Sequence, residues 1–109
     1  MDKQKRYDLS LKGKYRAGKR RAKQLGVDWA LTLDEYALII APGICHYCRD
    51  PLNHYGSSLD RKDNAGGYSV SNCVPACAVC NSLKSDILNY REMQLVSALL
   101  RAYRDGTDS

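Results

Sequence analysis

Apolar residues recur at helical spacing in two segments of the chain, and each segment predicts a helix that packs one face on a core. The first set comprises Leu33, Tyr36, Ala37 and Ile40. The second set comprises Met93, Val96, Leu99, Leu100 and Tyr103. Thr32 and Glu35 form a capping box before the first set, and Pro42-Gly43 follows it. We therefore expect helices through Ala41 and over 90–103, with Trp29 packed beside the first helix.

Residues 10–25 predict a third helix with a different surface. Ser10 can cap it and Gly26 can end it. Its apolar stripe is thin and most of its other positions are Lys or Arg, so we expect it to bury little. Residues 1–9 are expected to fray.

The middle of the chain predicts a β-hairpin followed by a short helix. Residues 52–61 and 68–74 are extended candidates, and the turn between them is Asn64-Ala65-Gly66-Gly67. Those turn residues are expected to supply positive φ at little cost. A short helix follows over 79–88. The sequence thus predicts an α+β domain with helices at both ends of a hairpin core.

Composition limits the core and concentrates the positive charge. The 109 residues suffice for one domain, but Phe is absent and there is one Trp, so a metal would matter for stability. Residues 1–25 carry ten Lys and Arg against two Asp, a net charge of +8 within a chain of net charge +5. Such a block favours nucleic acid as a partner over an anionic membrane or a solvated tail. The candidate contacts in it are Lys12, Lys14, Arg16, Lys19, Arg20, Arg21 and Lys23.

The first residues are charged and no long apolar run follows, so we expect neither a secretory signal nor a membrane span. We therefore expect an intracellular, cytoplasmic protein with no membrane partner. Five cysteines in that setting favour a metal over disulfides.

Two Cys-x-x-Cys pairs predict a structural zinc. The pairs are Cys45 with Cys48 and Cys77 with Cys80, separated by 28 residues. Four thiolates close a tetrahedral shell and leave no site for water, so one Zn²⁺ per chain would be structural. Cys73 is expected in the core. Cys73, Cys77 and Cys80 also match the iron–sulfur spacing of radical SAM enzymes, but the chain is too short for their barrel of roughly 200 or more residues.

Asp60 and Asn81 are candidates for a second metal. Zinc would draw the two together across the hairpin, and carboxylate and amide oxygens suit Mg²⁺ or Mn²⁺. The alternative is that Asp60 pairs with Arg61 or a turn amide, and that Asn81 caps a helix. The spacing alone leaves both open.

Several motifs in one order carry a resemblance to a known family. They are Cys45-x-x-Cys48, Ser58-Leu59-Asp60-Arg61, Asp63-Asn64, Gly67-Tyr68, Asn72, Cys77-x-x-Cys80-Asn81 and Lys84. Together they resemble the zinc-containing HNH endonucleases of phages and bacteria, in the ββα-metal (His-Me finger) group that includes the endonuclease VII family. The resemblance implies a nuclease domain over 26–109 with its core at 43–88, preceded by a basic arm over 1–25.

The resemblance also implies roles for individual residues. Asp60 and Asn81 would bind a catalytic Mg²⁺ or Mn²⁺, and Asn72 would brace the hairpin loop. Arg61 stands where most members have the general base His, and Arg cannot take a proton from water. Arg61 could instead clamp the scissile phosphate, with His54 as one candidate base.

The resemblance therefore implies a metal-dependent endonuclease of a bacterial or phage-infected cell. Such an enzyme would nick or cut DNA, leave 5′-phosphate and 3′-hydroxyl ends, and have no small-molecule substrate. Lys62, Lys84 and Arg91 are candidate phosphate contacts near the site. The alternative is a non-catalytic nucleic-acid-binding zinc module, and a structural interaction domain comes third. DNA specificity, oligomeric state and a phage, homing or restriction role stay open.

Overall fold

The computed structural model describes residues 3–52 and 58–106, with side chains from residue 11 onward. Its elements are α1 (Lys3–Leu25), α2 (Leu33–Ile40), β1 (Leu59–Arg61), a 3₁₀ turn (Val70–Asn72), β2 (Cys73–Pro75), α3 (Ala78–Lys84) and α4 (Tyr90–Gly106). A short hairpin followed by a helix lies at the centre, with helices before and after it. The predicted α+β class and element order are confirmed.

The hairpin is shorter than the predicted extended segments. β1 and β2 are antiparallel with three residues each, and Asp60 lies opposite Val74 in the middle. Residues 53–57 lie outside the described part, so the start of the first extended candidate is untested. The second candidate is wrong over Val70–Asn72, where the chain forms a 3₁₀ turn.

The glycines of the connecting loop serve close packing and not positive φ. Gly26 and Gly43 are the described glycines with positive φ, and Gly66 and Gly67 are not among them. A Cβ on Gly66 would lie 2.8 Å from Nδ2 of Asn72, and one on Gly67 would lie 3.0 Å from Asp28. The expectation that this turn needs positive φ is therefore wrong, and the loop needs glycine because its neighbours approach too closely.

The helices that precede the hairpin end and begin as predicted. Gly26, at φ 71°, ends α1 in a Schellman motif, with Val27 N–H bonded to Ala22 O at 2.9 Å. Thr32 and Glu35 close the predicted capping box at the start of α2. The backbone of α1 is helical from Lys3, earlier than the predicted start. No helix of the described ranges is long and apolar enough to cross a membrane.

Two small cores lie on either side of the hairpin. The first consists of Cys45, Tyr47, Cys48, Val74, Ala76, Cys77, Cys80 and Met93. The second consists of Leu31, Tyr36, Leu59 and Cys73, with Trp29 and Tyr15 packed against it. β2 contributes Val74 to the first core and Cys73 to the second, so this strand couples the helices before the hairpin to the cysteine cluster. The predicted placement of Trp29 and Cys73 is confirmed.

The buried face of α4 differs from the predicted one. Met93 and Ser97 are buried, whereas Leu99 and Tyr103 are each 71% exposed. The expectation that Leu99 and Tyr103 cover the core is wrong, because the helix turns Ser97 inward between Met93 and Arg101. A capping box of Asn89 and Glu92, which the sequence analysis missed, fixes its start.

Candidate active site and zinc centre

Four cysteine thiols gather into a cluster that fits zinc. The Sγ atoms of Cys45, Cys48, Cys77 and Cys80 all lie within 4.8 Å of one another, and all four residues are buried. A tetrahedral zinc with Zn–S bonds of about 2.3 Å needs sulfur separations of about 3.8 Å, and Cys48 lies 3.7 Å from Cys77. The donor set is soft and complete, so the cluster suits a structural zinc with no open position.

Local backbone geometry brings the two cysteine pairs together. The first pair lies in a tight loop in which Cys45 N–H bonds to Asp50 O at 2.8 Å and Arg49 adopts φ 70°. Cys77 is the N-cap of α3, and Cys80 lies in its first turn. His46 N–H bonds to Pro75 O at 2.8 Å, which fastens the first loop to β2. The same contact places residue 47 against β1.

Asp60 is buried at the centre of β1, where its carboxylate has two partners. It is 8% exposed. Tyr47 donates its hydroxyl hydrogen to Oδ2 at 2.5 Å, and Lys84 Nζ lies 3.3 Å from Oδ1. Burial raises the pKa of Asp60, and these two partners oppose that shift. Burial and the carboxylate also raise the pKa of Tyr47.

Asn81 lies beside Asp60 in the first turns of α3. Its Nδ2 donates to the backbone oxygen of Leu59 at 3.2 Å. This bond holds the Asn81 side chain against β1, at the residue before Asp60. Neither alternative from the sequence holds, since Cys77 caps α3 and Asp60 contacts Tyr47 and Lys84. A carboxylate and an amide oxygen are ligand types that suit a hard divalent ion.

Lys84 requires a correction. The sequence placed it among surface contacts for phosphate, but its side chain is 0% exposed. Its ammonium donates to Arg61 O at 2.9 Å and to Asn64 Oδ1 at 2.5 Å, besides its contact with Asp60. Because its ammonium is buried among these oxygens, Lys84 does not reach the surface, where it would have to lie to contact a phosphate.

Arg61 holds the loop that follows β1. Its Nη1 donates to Asn64 O at 3.0 Å and Gly66 O at 2.8 Å, and its guanidinium lies 5.2 Å from the ring centroid of Tyr68. Arg61 also lines a cavity of about 220 Å³, and the other lining residues are 26–28 and 64–67. Within the described part of the chain, the hydrogen bonds of the Arg61 side chain are donated by Nη1.

Asn72 ties the two ends of the same loop together, as the resemblance implied for this position. Its Oδ1 accepts from Asp63 N–H at 2.9 Å, and its Nδ2 donates to Asp63 O at 3.2 Å and Gly67 O at 2.9 Å. The side chain is fully engaged in loop contacts. Its contribution to a reaction would therefore act through the loop. His54, the candidate base, lies outside the described residues.

Four of the predicted nucleic-acid contacts line one groove. Arg16, Lys19, Arg20 and Lys23 of α1 face residues 27–29 across a cavity of about 450 Å³. Val27 and Asp28 line both this groove and the cavity of Arg61, so the two are adjacent. Lys12, Lys14 and Arg21 lie elsewhere on α1. Lys62, in the loop after β1, packs with Nζ 5.7 Å from the ring centroid of Tyr90.

Tyr47 and Lys84 are the site residues that the sequence analysis missed or misplaced. Lys84 carried a usable signal, because it follows Asn81 by three residues and so shares its helix face. Tyr47 carried none, since the spacing of a Cys-x-x-Cys loop constrains only the cysteines.

The hairpin, the helix that follows it and the four-cysteine centre define a ββα-metal type of fold. Among solved structures, the rare-cutting HNH restriction endonuclease PacI matches 90% of this chain and 81% of its own, with a TM-score of 0.74 and 22% identity. The chain therefore has a nuclease-type fold, that of an HNH endonuclease. The resemblance predicted from the motifs is confirmed at the level of the fold.

Sequence comparison adds one relative. Protein R423 of Acanthamoeba polyphaga mimivirus, described as uncharacterized, is 32% identical over 82 residues. The match covers 75% of this chain and 15% of that protein. No protein-family profile matches the chain.

Proposed function

We propose that the chain is a divalent-metal-dependent endonuclease that hydrolyses DNA phosphodiester bonds and leaves 5′-phosphate and 3′-hydroxyl ends. One observation carries the proposal: Asn81 of α3 donates a hydrogen bond to the backbone oxygen of Leu59, the residue before Asp60 on β1, at 3.2 Å, so the two candidate ligands belong to one part of the hairpin. The nuclease-type fold and the neighbouring basic groove support it.

The roles of the chain's own residues follow from their contacts. Asp60 and Asn81 would hold the Mg²⁺ or Mn²⁺, which when bound supplies charge that stabilises the departing 3′ oxygen. Arg61, which lines the cavity beside the basic groove, would bind the phosphate through its guanidinium. Asn72 positions that loop and is a positioning residue.

The basic groove gives DNA a path to this site. Arg16, Lys19, Arg20 and Lys23 offer four cations beside the cavity that contains Arg61. A strand whose phosphates follow the groove would bring the next phosphate to Arg61. Lys62 lies on the loop after β1 and would contact the same backbone.

A plasmid nicking assay tests the proposed activity. Purified zinc-loaded protein should convert supercoiled plasmid to nicked or linear product with Mg²⁺ or Mn²⁺, and end-labelling should find 5′-phosphate termini. Brief treatment with EDTA should stop cleavage and later Mg²⁺ should restore it. Supercoiled plasmid that survives with both ions would contradict the proposal.

Neutralising the groove should flatten the salt dependence of DNA binding. Each phosphate contact contributes about 0.9 to the slope of log K against log salt concentration, so changing Arg16, Lys19, Arg20 and Lys23 to Gln should lower that slope by about 3 to 4. Fluorescence anisotropy over a salt series measures it. Arg49→Gln with Arg104→Gln, two exposed residues that do not line the groove, serves as the control. An equal change in slope for each charge removed there would contradict the groove assignment.

Arg61→Ala should slow cleavage by roughly 10²–10³, the usual cost of one donor to transition-state charge. Arg61→His should recover activity with a pH dependence near about 6.5, since an imidazole can act as a base. Single-turnover rates across pH measure both. If Arg61→Ala cleaves at the wild-type rate, the role of Arg61 is limited to its hydrogen bonds with the loop carbonyl oxygens.

A non-catalytic DNA-binding zinc module is the second candidate, and one observation favours it. The Asp60 carboxylate already has the Lys84 ammonium 3.3 Å away, so its charge is balanced without a divalent ion. In a binding module Asp60 would be purely structural. Cleavage that depends on Asp60 separates the two candidates.

A further inference from the structure

Lys84 is a buried lysine that the proposed reaction does not use. Its side chain is 0% exposed, and lysine is almost never fully buried unless it is paired. Its ammonium contacts Asp60, Arg61 O and Asn64 Oδ1. A surface charge that aids solubility has no such environment, so this ammonium has a specific place in the site.

The partners of Lys84 fix its position. Asn64, which accepts from the ammonium, donates its own Nδ2 to Leu88 O at 3.1 Å. Arg61 O belongs to β1, which pairs with β2. The ammonium is therefore anchored between α3, the strand and the loop, and it stays beside Asp60 without relying on a flexible surface contact.

Both oxygens of Asp60 are in use, but only one partner is charged. Tyr47 gives Oδ2 a hydrogen bond, whereas Lys84 gives Oδ1 a full positive charge at 3.3 Å. A divalent ion that binds Asp60 must share the carboxylate with this ammonium. A divalent ion bound to this carboxylate would lie close to the Lys84 ammonium, and two positive charges at short range repel strongly where water is scarce.

We propose that Lys84 is a built-in counter-cation of Asp60 that competes with the divalent ion and thereby sets the affinity of the site for it. The inference rests on the proposed role of Asp60 as a metal ligand. In the free protein the ammonium balances the carboxylate, and the divalent ion binds weakly. Lys84 is thus an affinity-determining residue for the metal and not a contact for DNA.

The test measures Mn²⁺ binding to zinc-loaded, DNA-free protein by electron paramagnetic resonance and by the thermal shift that Mn²⁺ causes. Lys84→Gln removes the charge and keeps a hydrogen-bond donor, and Lys84→Met removes both. Each should bind Mn²⁺ about tenfold or more tightly than wild type, because one like charge at short range has gone. Adding Asp60→Asn to Lys84→Gln should abolish the gain, which places it at Asp60.

Two matched variants separate charge from packing. Lys62→Met removes a lysine charge from the neighbouring loop, and Tyr47→Phe removes the other partner of Asp60. Neither should tighten Mn²⁺ binding as Lys84→Gln does. A Lys84 variant that is unfolded without Mn²⁺ but folds when it is added would also support the proposal, whereas one that stays unfolded at saturating Mn²⁺ would overturn it.

An Mn²⁺ affinity in Lys84→Gln equal to or weaker than that of wild type overturns the inference. Cleavage is no part of this readout. If wild type cleaves plasmid but its Mn²⁺ affinity does not depend on Lys84, only the inference fails. If Lys84→Gln gains Mn²⁺ at Asp60 and wild type cleaves nothing, the nuclease proposal fails and the inference stands.

Discussion

Asp60→Asn is expected to reduce plasmid cleavage by roughly 10³ or more, with zinc content and DNA affinity nearly unchanged. The carboxylate is the only charged ligand proposed for the divalent ion. An ion's charge stabilisation amounts to several kcal/mol, and each 1.36 kcal/mol corresponds to tenfold in rate. Zinc and the basic groove depend on other residues, so they should survive the change. Single-turnover cleavage, elemental zinc analysis and anisotropy measure the three quantities.

Asp63→Asn is the matched control. Asp63 is an exposed carboxylate in the loop after β1, three residues after Asp60, and its Oδ1 accepts from Ala65 N–H at 2.9 Å. An asparagine oxygen can accept the same bond, so this variant loses one negative charge near the site and should keep its rate. Because Asp60→Asn leaves Lys84 without its counter-charge, thermal unfolding must confirm that this variant is folded at the assay temperature.

Cleavage by Asp60→Asn at the wild-type rate would mean that the carboxylate is structural. The activity would then belong to another group or to a contaminating enzyme, and the DNA-binding module would become the preferred function. If Asp60→Asn and Asp63→Asn both lose rate, the activity depends on the negative charge of this part of the hairpin and not on the Asp60 carboxylate in particular.

Local signals in the sequence predicted the end of α1, the start of α2 and the two cysteine loops, whereas the start of α1 and the end of α3, predicted at residue 88, were wrong. The capping box of Thr32 and Glu35 formed because both partners lie within one turn, so no tertiary contact is needed. The second extended segment was predicted too long, because the chain forms a 3₁₀ turn over Val70–Asn72 before β2 pairs with β1. The buried face of α4 was predicted wrongly at Leu99 and Tyr103, because rotating a helix by one residue changes which of its apolar positions are covered.

The positions of the candidate site residues were predictable where the order of the motifs determined them. They were not predictable where the packing of separate elements determined them. The motifs put Asp60, Asn72 and Asn81 on the strand, the loop end and the helix where the structure has them. They did not reveal that Asp60 is buried under Tyr47 or that Lys84 turns inward to it. Those contacts join residues 13 and 24 positions from Asp60 across separate elements, and single-sequence periodicity carries no information about such pairs.

Zinc removal is expected to unfold the hairpin and the helix after it. Four of the eight buried residues in the core on that side are the cysteines themselves, and the strands have three residues each. Structural zinc contributes about 10–16 kcal/mol in zinc-finger peptides, while whole domains are stable by about 5–15 kcal/mol. Stripping the metal should therefore abolish cooperative thermal unfolding by circular dichroism, and restoring one zinc per chain should bring it back.

A comparison of Cys45→Ser with Cys73→Ser tests the same prediction, because the same substitution is made at two buried positions. Cys45 belongs to the cluster, whereas Cys73 lies in the opposite core and outside it. Cys45→Ser should lose both the metal and the unfolding transition. Cys73→Ser should retain about one zinc and unfold at a moderately lower temperature, because burying a hydroxyl costs about 1–3 kcal/mol. Native protein with no zinc, or a Cys45→Ser variant as stable as wild type, would show that the core stands without the metal.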